Sequence, residues 1–582
     1  MVSHQLFHLV TDVIPERSLS GSVAMGRPDS MTQYTPSDSL TAPGANWRGL
    51  GGWNLYFLGK LALLWGGYLN FHPLANLVFA AFLLFPLSST LMRRARLLIA
   101  LPAGVGLFYH DTWLPGIESI MGQGKMVFSF TFDYFLELLG RFINWNMVGV
   151  AFVMLTGYLF LARWLRFTPW MLISLLWLTL SPHLASLGLQ SPFREAQAQA
   201  NVPGGAAVAA MPVTASQALD QGAAPTSDNL NGYLDRFYQS ERDRRVSFAT
   251  SLPADAEPFD VLLLQICSLS WSDIEASGLT DHPLLSRFDA LFKSFNSSTS
   301  YSGPAAIRLL RSSCGQVSHH DLYQAPQAEC LLMDNLARLG FAKEIVMDHS
   351  GTYGNDLKSL KAYAGVSSEP MDKQGLPYEV TSFIGEEIPN SDALLARWLQ
   401  RRVESPSSRN IAYFNITTLH DGNRWASSRQ IAPFKARLRA LMDQLDGFIT
   451  RLEQSGRKVM VVMVPEHGAA LSGDRLQMSG LRDIPSPAIT RVPVGIRLVG
   501  ARAEHAPTRV IDQPSSLLVV SELVARVVAG NYFGSDTIDW GGLFNNLPQT
   551  PAVSENQGAS VIQYQGQYYI KQGKGDWVPY PR

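Results

Sequence analysis

The sequence predicts two parts, a bundle of five membrane-spanning helices and, after it, an α/β domain built on a mostly parallel central sheet. Three observations carry this. The charged fraction of the 582-residue chain is only 16%, low for a protein wholly surrounded by water. The apolar segments near the length needed to span a bilayer fall together between Trp53 and Leu189. Beyond Phe259, short apolar runs alternate with helical periodicity, the pattern of strand, helix, strand crossovers. The net charge of −1 and the lack of a dense Lys/Arg tract give no reason to expect nucleic acid as a partner.

Residues 1–50 are rich in Ser, Thr, Pro and Gly and contain no apolar span, so they are expected to be a disordered cytoplasmic tail rather than a signal peptide, with Met31 as an alternative start. Residues 51–189 form the expected membrane domain, with spans at 53–70, 72–91, 97–114, 145–164 and 169–189. Pro102, His110 and Asp111 interrupt the third. Arg93, Arg94 and Arg96 follow the second span and Arg163 and Arg166 the fourth, which puts both loops in the cytoplasm. Everything after Leu189 is then outside. His110, Asp111 and the outer loop 116–144 are where a lipid head group or the outer domain is expected to dock.

Residues 190–229 are Ala, Gln, Pro, Gly and Ser with hardly a large apolar side chain, a flexible tether. The outer domain, 230–582, opens with a charged helix over 230–248. The chain has three cysteines. Cys314 and Cys330 are close in sequence, and the simplest pairing joins them and leaves Cys267 free, consistent with an oxidising compartment. The competing reading, a metal site of one of them with His319 and His320, lacks the ligand spacing of structural zinc.

Phe259–Ile266 and Lys458–Pro465 read as strands covered on both faces. The first ends in Cys267, the second in Glu466, His467 and Gly468. Ligands collect at the carboxyl ends of such strands, so these side chains are candidate metal ligands, although a lone Cys in an apolar run is more often a core residue. Ile411–Leu419 is a third strand, ending in His420, Asp421 and Gly422. The period over 434–452 predicts a helix that Gly456 ends. Val492–Leu498 is a further strand, with Pro493 arguing for a place near an edge or an end. Between the first strands, NSSTSYSGPAAIRLLR at 296–311 runs from a Ser-rich loop into a helix. Ser302 there is either an ordinary N-cap or a nucleophile at the positive helix end, and the two roles can coexist. The residues after Cys330 and those around 370–389 read as loop.

The strings ICSLSWSDIE, SYSGPA and VPEHGA, with YLNFHPLANLVFAAFLL in the membrane part, resemble the bacterial cellulose phosphoethanolamine transferases, a branch of the alkaline phosphatase and sulfatase superfamily. The resemblance implies an alkaline-phosphatase-like fold for the outer domain, Ser302 as nucleophile, and one zinc per chain held by Cys267, Ser302, Glu466 and His467. Tyr301, His420 and Arg482 become candidates for substrate contact, with His420 as acid or base and Arg482 bearing phosphate charge; an ordinary hydrogen-bonded strand-end histidine is the bland reading of His420. It also implies phosphatidylethanolamine as donor, cellulose as acceptor, subunits of the cellulose synthase complex as neighbours, and the bacterial inner membrane with a periplasmic catalytic domain as location. The alternatives are a transferase acting on lipid A or another glycan, a hydrolase, or a scaffold without catalysis. A sulfatase is disfavoured, since SYSGPA lacks the Cys-x-Pro-x-Arg pattern that formylglycine formation uses.

Overall fold

The computed structural model describes residues 49–87, 89–112, 130–141, 145–186 and 222–581. The expected tail, up to residue 48, and the expected tether, up to residue 221, lie outside the described residues.

Each of the five expected spans contains a helix, within different limits. These are α1 (Trp53–Trp65), α2 (Pro73–Leu84), α3 (Thr90–His110), and, after the unexpected α4 (Phe132–Arg141), α5 (Trp145–Leu161) and α6 (Phe167–Ser186). Among the described residues no helix is both long and apolar enough to cross a membrane. The reasons differ from helix to helix. The 13 residues of α1 reach about 20 Å against a hydrocarbon core of about 30 Å, while α3 begins upstream of Leu97 and takes Arg93, Arg94 and Arg96 into its own first turns. The arginines expected in a loop are thus helical.

Large apolar side chains of these helices, among them Leu98, Val105, Phe152, Val153, Trp170 and Ile173, are exposed. The buried interior is partly polar. Lys60 and Asp111 are both fully buried, with Nζ 2.5 Å from Oδ2. Asn76 accepts from Lys60 at 2.7 Å and donates to Asp111 at 2.6 Å, and His72 Nδ1 lies 2.9 Å from the other Asp111 oxygen.

The outer domain opens with α7 (Ser227–Arg242), which starts inside the expected tether because Thr226 caps it through the Asn229 amide. Its apolar face is Leu230, Tyr233 and Phe237. That face packs on a four-stranded antiparallel sheet formed by the C-terminal residues 553–579, which the sequence pattern did not announce.

The central sheet has seven strands. In chain order these are β1 (Asp260–Ile266), β2 (Ala290–Asn296), β3 (Ala342–Met347), β6 (Asn410–Ile416), β8 (Val459–Pro465), β9 (Arg491–Val499) and β10 (Arg509–Ile511), ordered β10-β2-β9-β8-β1-β6-β3. The missing labels belong to a small antiparallel sheet of β4 (Tyr378–Thr381), β5 (Glu387–Pro389) and β7 (Arg424–Trp425). The sheet is parallel except at β9, which runs against β2 and β8. Two expectations need correction. The segments read as loop contain β3, β4 and β5. Of the edge or end expected for Pro493, the edge is overturned, since β9 is an interior strand, while the end holds, Pro493 being near the start of Arg491–Val499; the ladder to β2 shifts register between Phe292 and Phe295, and Pro493 falls within that irregularity, where its missing N–H leaves no pair broken.

Two layers of apolar side chains cover the sheet. One gathers under α8 (Trp271–Ser277) and the long helix Phe434–Gln454, with Leu438, Leu441, Leu445, Phe448 and Leu452 inward. Gly456, at φ +69°, ends that helix just before β8, as expected. The other layer lies under α9 (Ser302–Leu310), the helix that follows β2.

Candidate functional site

β1 and β8 are parallel neighbours with Ile266 opposite Pro465. Their next residues, Cys267 and Glu466, therefore emerge side by side, and the Glu466 amide donates to the Ile266 carbonyl at 2.9 Å. Ser268 turns the chain at φ +66°, a rare conformation for a non-glycine residue. Cys267, Glu466 and His467 are all buried, and their ligand atoms lie within 4.8 Å of one another.

Ser302 completes the cluster from α9. Its Oγ is 3.4 Å from Cys267 Sγ and 3.2 Å from His467 Nε2. It is not the helix cap. Tyr301 occupies that place with extended backbone and no capping bond, and Ser302 is the first helical residue, which frees its hydroxyl for the cluster.

The orientation of each donor has a cause. His467 Nδ1 lies 2.9 Å from the Gly468 carbonyl, which puts the proton on Nδ1 and leaves the Nε2 lone pair facing Ser302. A Cβ on Gly468 would fall 2.5 Å from Ser270 Oγ and 2.7 Å from Asp273 Oδ2, so only glycine lets this turn approach α8. Asp273 pins the turn by accepting from the Ala469 amide at 2.7 Å. Asn415 on β6 donates to Glu466 Oε1 at 2.7 Å and to the Tyr413 hydroxyl at 2.9 Å. Asp273 and Asn415 escaped the reading of the sequence. Asp273 lies inside the string that carries the resemblance, yet nothing local marks its role.

Burial dominates the electrostatics. It pushes the Cys267 thiol up to about 12, with Glu466 adding to the effect, raises the Glu466 carboxyl, and drives His467 well below the ordinary imidazole range. Among the described residues, Glu466 Oε2 is buried with no hydrogen-bond partner. A thiol, an imidazole lone pair, a hydroxyl and an orphaned carboxylate oxygen converging on one point fit the donor set and number of a tetrahedral zinc site. An unpaired buried carboxylate is costly otherwise.

The three other expected residues line the mouth. The Tyr301 hydroxyl donates to Asp483 Oδ1 at 2.5 Å. Arg482 Nη1 donates to Ser268 Oγ at 3.0 Å, and Asn556 fastens this stretch to the loop before Ser302 by donating to Ser300 Oγ and the Asp483 carbonyl. His420 is half-buried, with Nδ1 2.9 Å from the Asp421 carbonyl. Burial and the Arg482 charge push its imidazole down to about 4.

The outer wall comes from the amino-terminal part. The Thr131 amide donates to the Phe383 carbonyl at 2.9 Å, the Tyr134 hydroxyl to Asp421 Oδ2 at 3.1 Å, and Arg424 faces Glu137 at 3.4 Å. Phe383 stacks on His420, with ring centroids 4.3 Å apart and planes at 17°. The segment expected to dock thus touches the loops around His420.

Two family models match the chain, the cellulose biosynthesis protein BcsG N-terminal domain over residues 53–180 and its C-terminal domain over residues 214–577. The cellulose biosynthesis protein BcsG of Escherichia coli (strain K12) is 51% identical over 95% of this chain and 100% of its own length. That of Salmonella typhimurium is 50% identical over the same shares. Among solved structures, a protein in the alkaline phosphatase superfamily from Vibrio parahaemolyticus aligns at a TM-score of 0.44 and 10% identity, over 62% of this chain and 89% of that one, too slight a likeness to argue from. The length and level of the match to the curated relatives place this chain in the family of the cellulose biosynthesis protein BcsG.

Proposed function

We propose that the chain is a zinc-dependent transferase of the bacterial inner membrane that moves phosphoethanolamine from phosphatidylethanolamine to glucose 6-hydroxyls of cellulose. The observation that carries this reading is the Ser302 hydroxyl at the start of α9, within 3.4 Å of Cys267 Sγ and 3.2 Å of His467 Nε2, beside the orphaned Glu466 oxygen. Zinc held by Cys267, Ser302, Glu466 and His467 would lower the hydroxyl pKa of Ser302 and offset phosphate charge.

Ser302 Oγ attacks the phosphorus of the lipid, the bond from phosphorus to the glycerol oxygen breaks, and the proton given up by the Ser302 hydroxyl passes to that oxygen, so that diacylglycerol leaves as the alcohol. The group then rests on Ser302 as a phosphodiester. A glucose 6-hydroxyl attacks in turn, its proton passes to a base, and the bond to Ser302 breaks. His420 suits the base in this second step, because its Nδ1 lies 2.9 Å from the Asp421 carbonyl, which directs the Nδ1 proton there and leaves Nε2 as acceptor. Arg482 and the amides of Ser302 and Gly303 at the start of α9 bear the phosphate charge.

The acceptor is argued from the relatives, which are named for cellulose biosynthesis. The exposed apolar side chains of α3, α5 and α6 support residues 51–189 as a membrane domain of five helices assembled side by side, with residues 1–50 a cytoplasmic tail, 190–229 a tether and 230–582 the periplasmic catalytic domain. Subunits of the cellulose synthase complex are the expected neighbours.

The test uses the full chain in detergent. Elemental analysis should find about one zinc per chain, and p-nitrophenyl phosphoethanolamine should add one phosphoethanolamine to the intact mass of the wild type and none to Ser302→Ala. A chain with neither metal nor adduct would favour a scaffold role.

A further inference from the structure

The transfer proposed above leaves the amine of the moving group without a partner, and this inference rests on that reading. Phosphoethanolamine carries an ammonium two carbons beyond its ester oxygen, and a site that selects it needs a negative group within that reach of the Ser302 phosphorus.

Most carboxylates around the mouth are already engaged. Asp421 accepts from Tyr134, Asp483 from Tyr301, and Asp348 from the amide and hydroxyl of Thr417, with His349 at 3.0 Å. Glu386 accepts from Ser350 and Lys373. Asp356 differs. It opens α10 (Asp356–Tyr363), and among the described residues its carboxylate has no hydrogen-bond partner. Its Oδ1 lies 3.3 Å from the point where a Cβ on Gly303 would sit, and 3.3 Å from the corresponding point on Gly354. The oxygen is therefore cradled between two glycines, one of them the residue immediately after the nucleophile.

The surroundings of this carboxylate suit an organic cation. Burial raises the phenol of Tyr353, three residues before it, and the Asp356 charge adds to that rise against the pull of Arg482. The Tyr353 ring meets Phe383 edge to face at 4.8 Å, and Phe383 stacks on His420. A carboxylate beside aromatic faces binds an alkylammonium by a charge-assisted hydrogen bond and by attraction to the rings. His349 and Glu466 are its charged neighbours, and burial pushes the Asp356 carboxyl up to about 6 against the pull of His349.

We propose that Asp356, with the ring wall of Tyr353 and Phe383, binds the primary ammonium of the ethanolamine group and selects a cationic donor over a neutral one. The group is a binding and specificity residue rather than a participant in bond making.

The experiment compares two soluble esters on the full chain in detergent, p-nitrophenyl phosphoethanolamine and p-nitrophenyl propyl phosphate, in which a methyl replaces the ammonium. The wild type should prefer the first, and Asp356→Asn should lower the ratio of kcat/KM for the two by about tenfold or more. Tyr353→Leu should lower it in the same direction by less. A ratio within about twofold of wild type in a folded Asp356→Asn chain, the two rates falling together, would mean that Asp356 only supports the structure and would overturn the inference. Should Asp356→Asn fail to fold, Asp356→Glu and Tyr353→Leu decide by the same ratio. A wild type that forms an adduct from both esters with equal efficiency defeats the inference alone; one that forms none from either defeats the transferase reading and the inference with it.

Discussion

Gly468 shows how much of the site depends on one missing atom. Alanine there would drive a methyl into Ser270 and Asp273 and displace the carbonyl that orients His467. Gly468→Ala should lose about 1–3 kcal/mol of stability and most of the zinc proposed for the wild type, read by thermal unfolding and elemental analysis; a variant that binds as much metal as wild type would show that the turn has slack. Titration offers a second prediction. Burial, with Arg308 adding to it, lowers the His319 imidazole from 6.5 to about 4, so the folded chain keeps it neutral. The folded pKa lies below the unfolded one, so this contribution to stability is fully present above pH 6.5 and is lost as pH falls through about 4. Denaturation midpoints between pH 7 and pH 4 should therefore fall less steeply in His319→Gln than in wild type, and identical slopes would contradict the assignment. At this scale Cys267, Glu466 and His467 are legible in the sequence because each interrupts or ends an apolar run. Asn415 and Asp273 are not, since they meet Glu466 and Ala469 only through strand register and a turn that closes over α8.

Elements were legible in proportion to how completely they are buried. β1, β6 and β8 are covered on both faces and so appear as unbroken apolar runs. β2 carries Lys293, whose ammonium sits 3.5 Å over the Trp271 ring, and the edge strand β3 carries Lys343 and Glu344. Their charges hid them. α4 was missed for a related reason, being amphipathic and too short to look like a span. It is held by close approach at Gly422, where a Cβ would lie 2.5 Å from the Tyr134 ring and 2.8 Å from Phe383, at φ +77°. Gly422→Ala should therefore loosen α4 from the outer domain. A cysteine pair placed at Thr131 and Phe383 should cross-link more slowly in Gly422→Ala than in its parent; an unchanged rate would mean that other contacts hold α4.

At the scale of the whole molecule the chain joins an apolar helical part to a domain whose irregular segment is tied by a disulfide between Cys314 and Cys330, 16 residues apart. Replacing both by serine should cost about 3 kcal/mol, measured as a shift in thermal unfolding of the outer domain; a loss below about 1 kcal/mol would show that the segment is already held by its hydrogen bonds. The family and the two-part plan were legible because composition changes sharply along the chain, whereas the C-terminal sheet, with short strands and many polar side chains, left little signal. The buried pair of Lys60 and Asp111 bears on how the protein is made. Lys60 lies on α1 and Asp111 directly follows α3; on the membrane placement proposed above each charge would be expensive to release alone into lipid, and they are separated by α2, whose Asn76 bridges them. On the membrane placement proposed above, these three helices would enter the bilayer more cheaply together than one after another, because only together do they cover both charges.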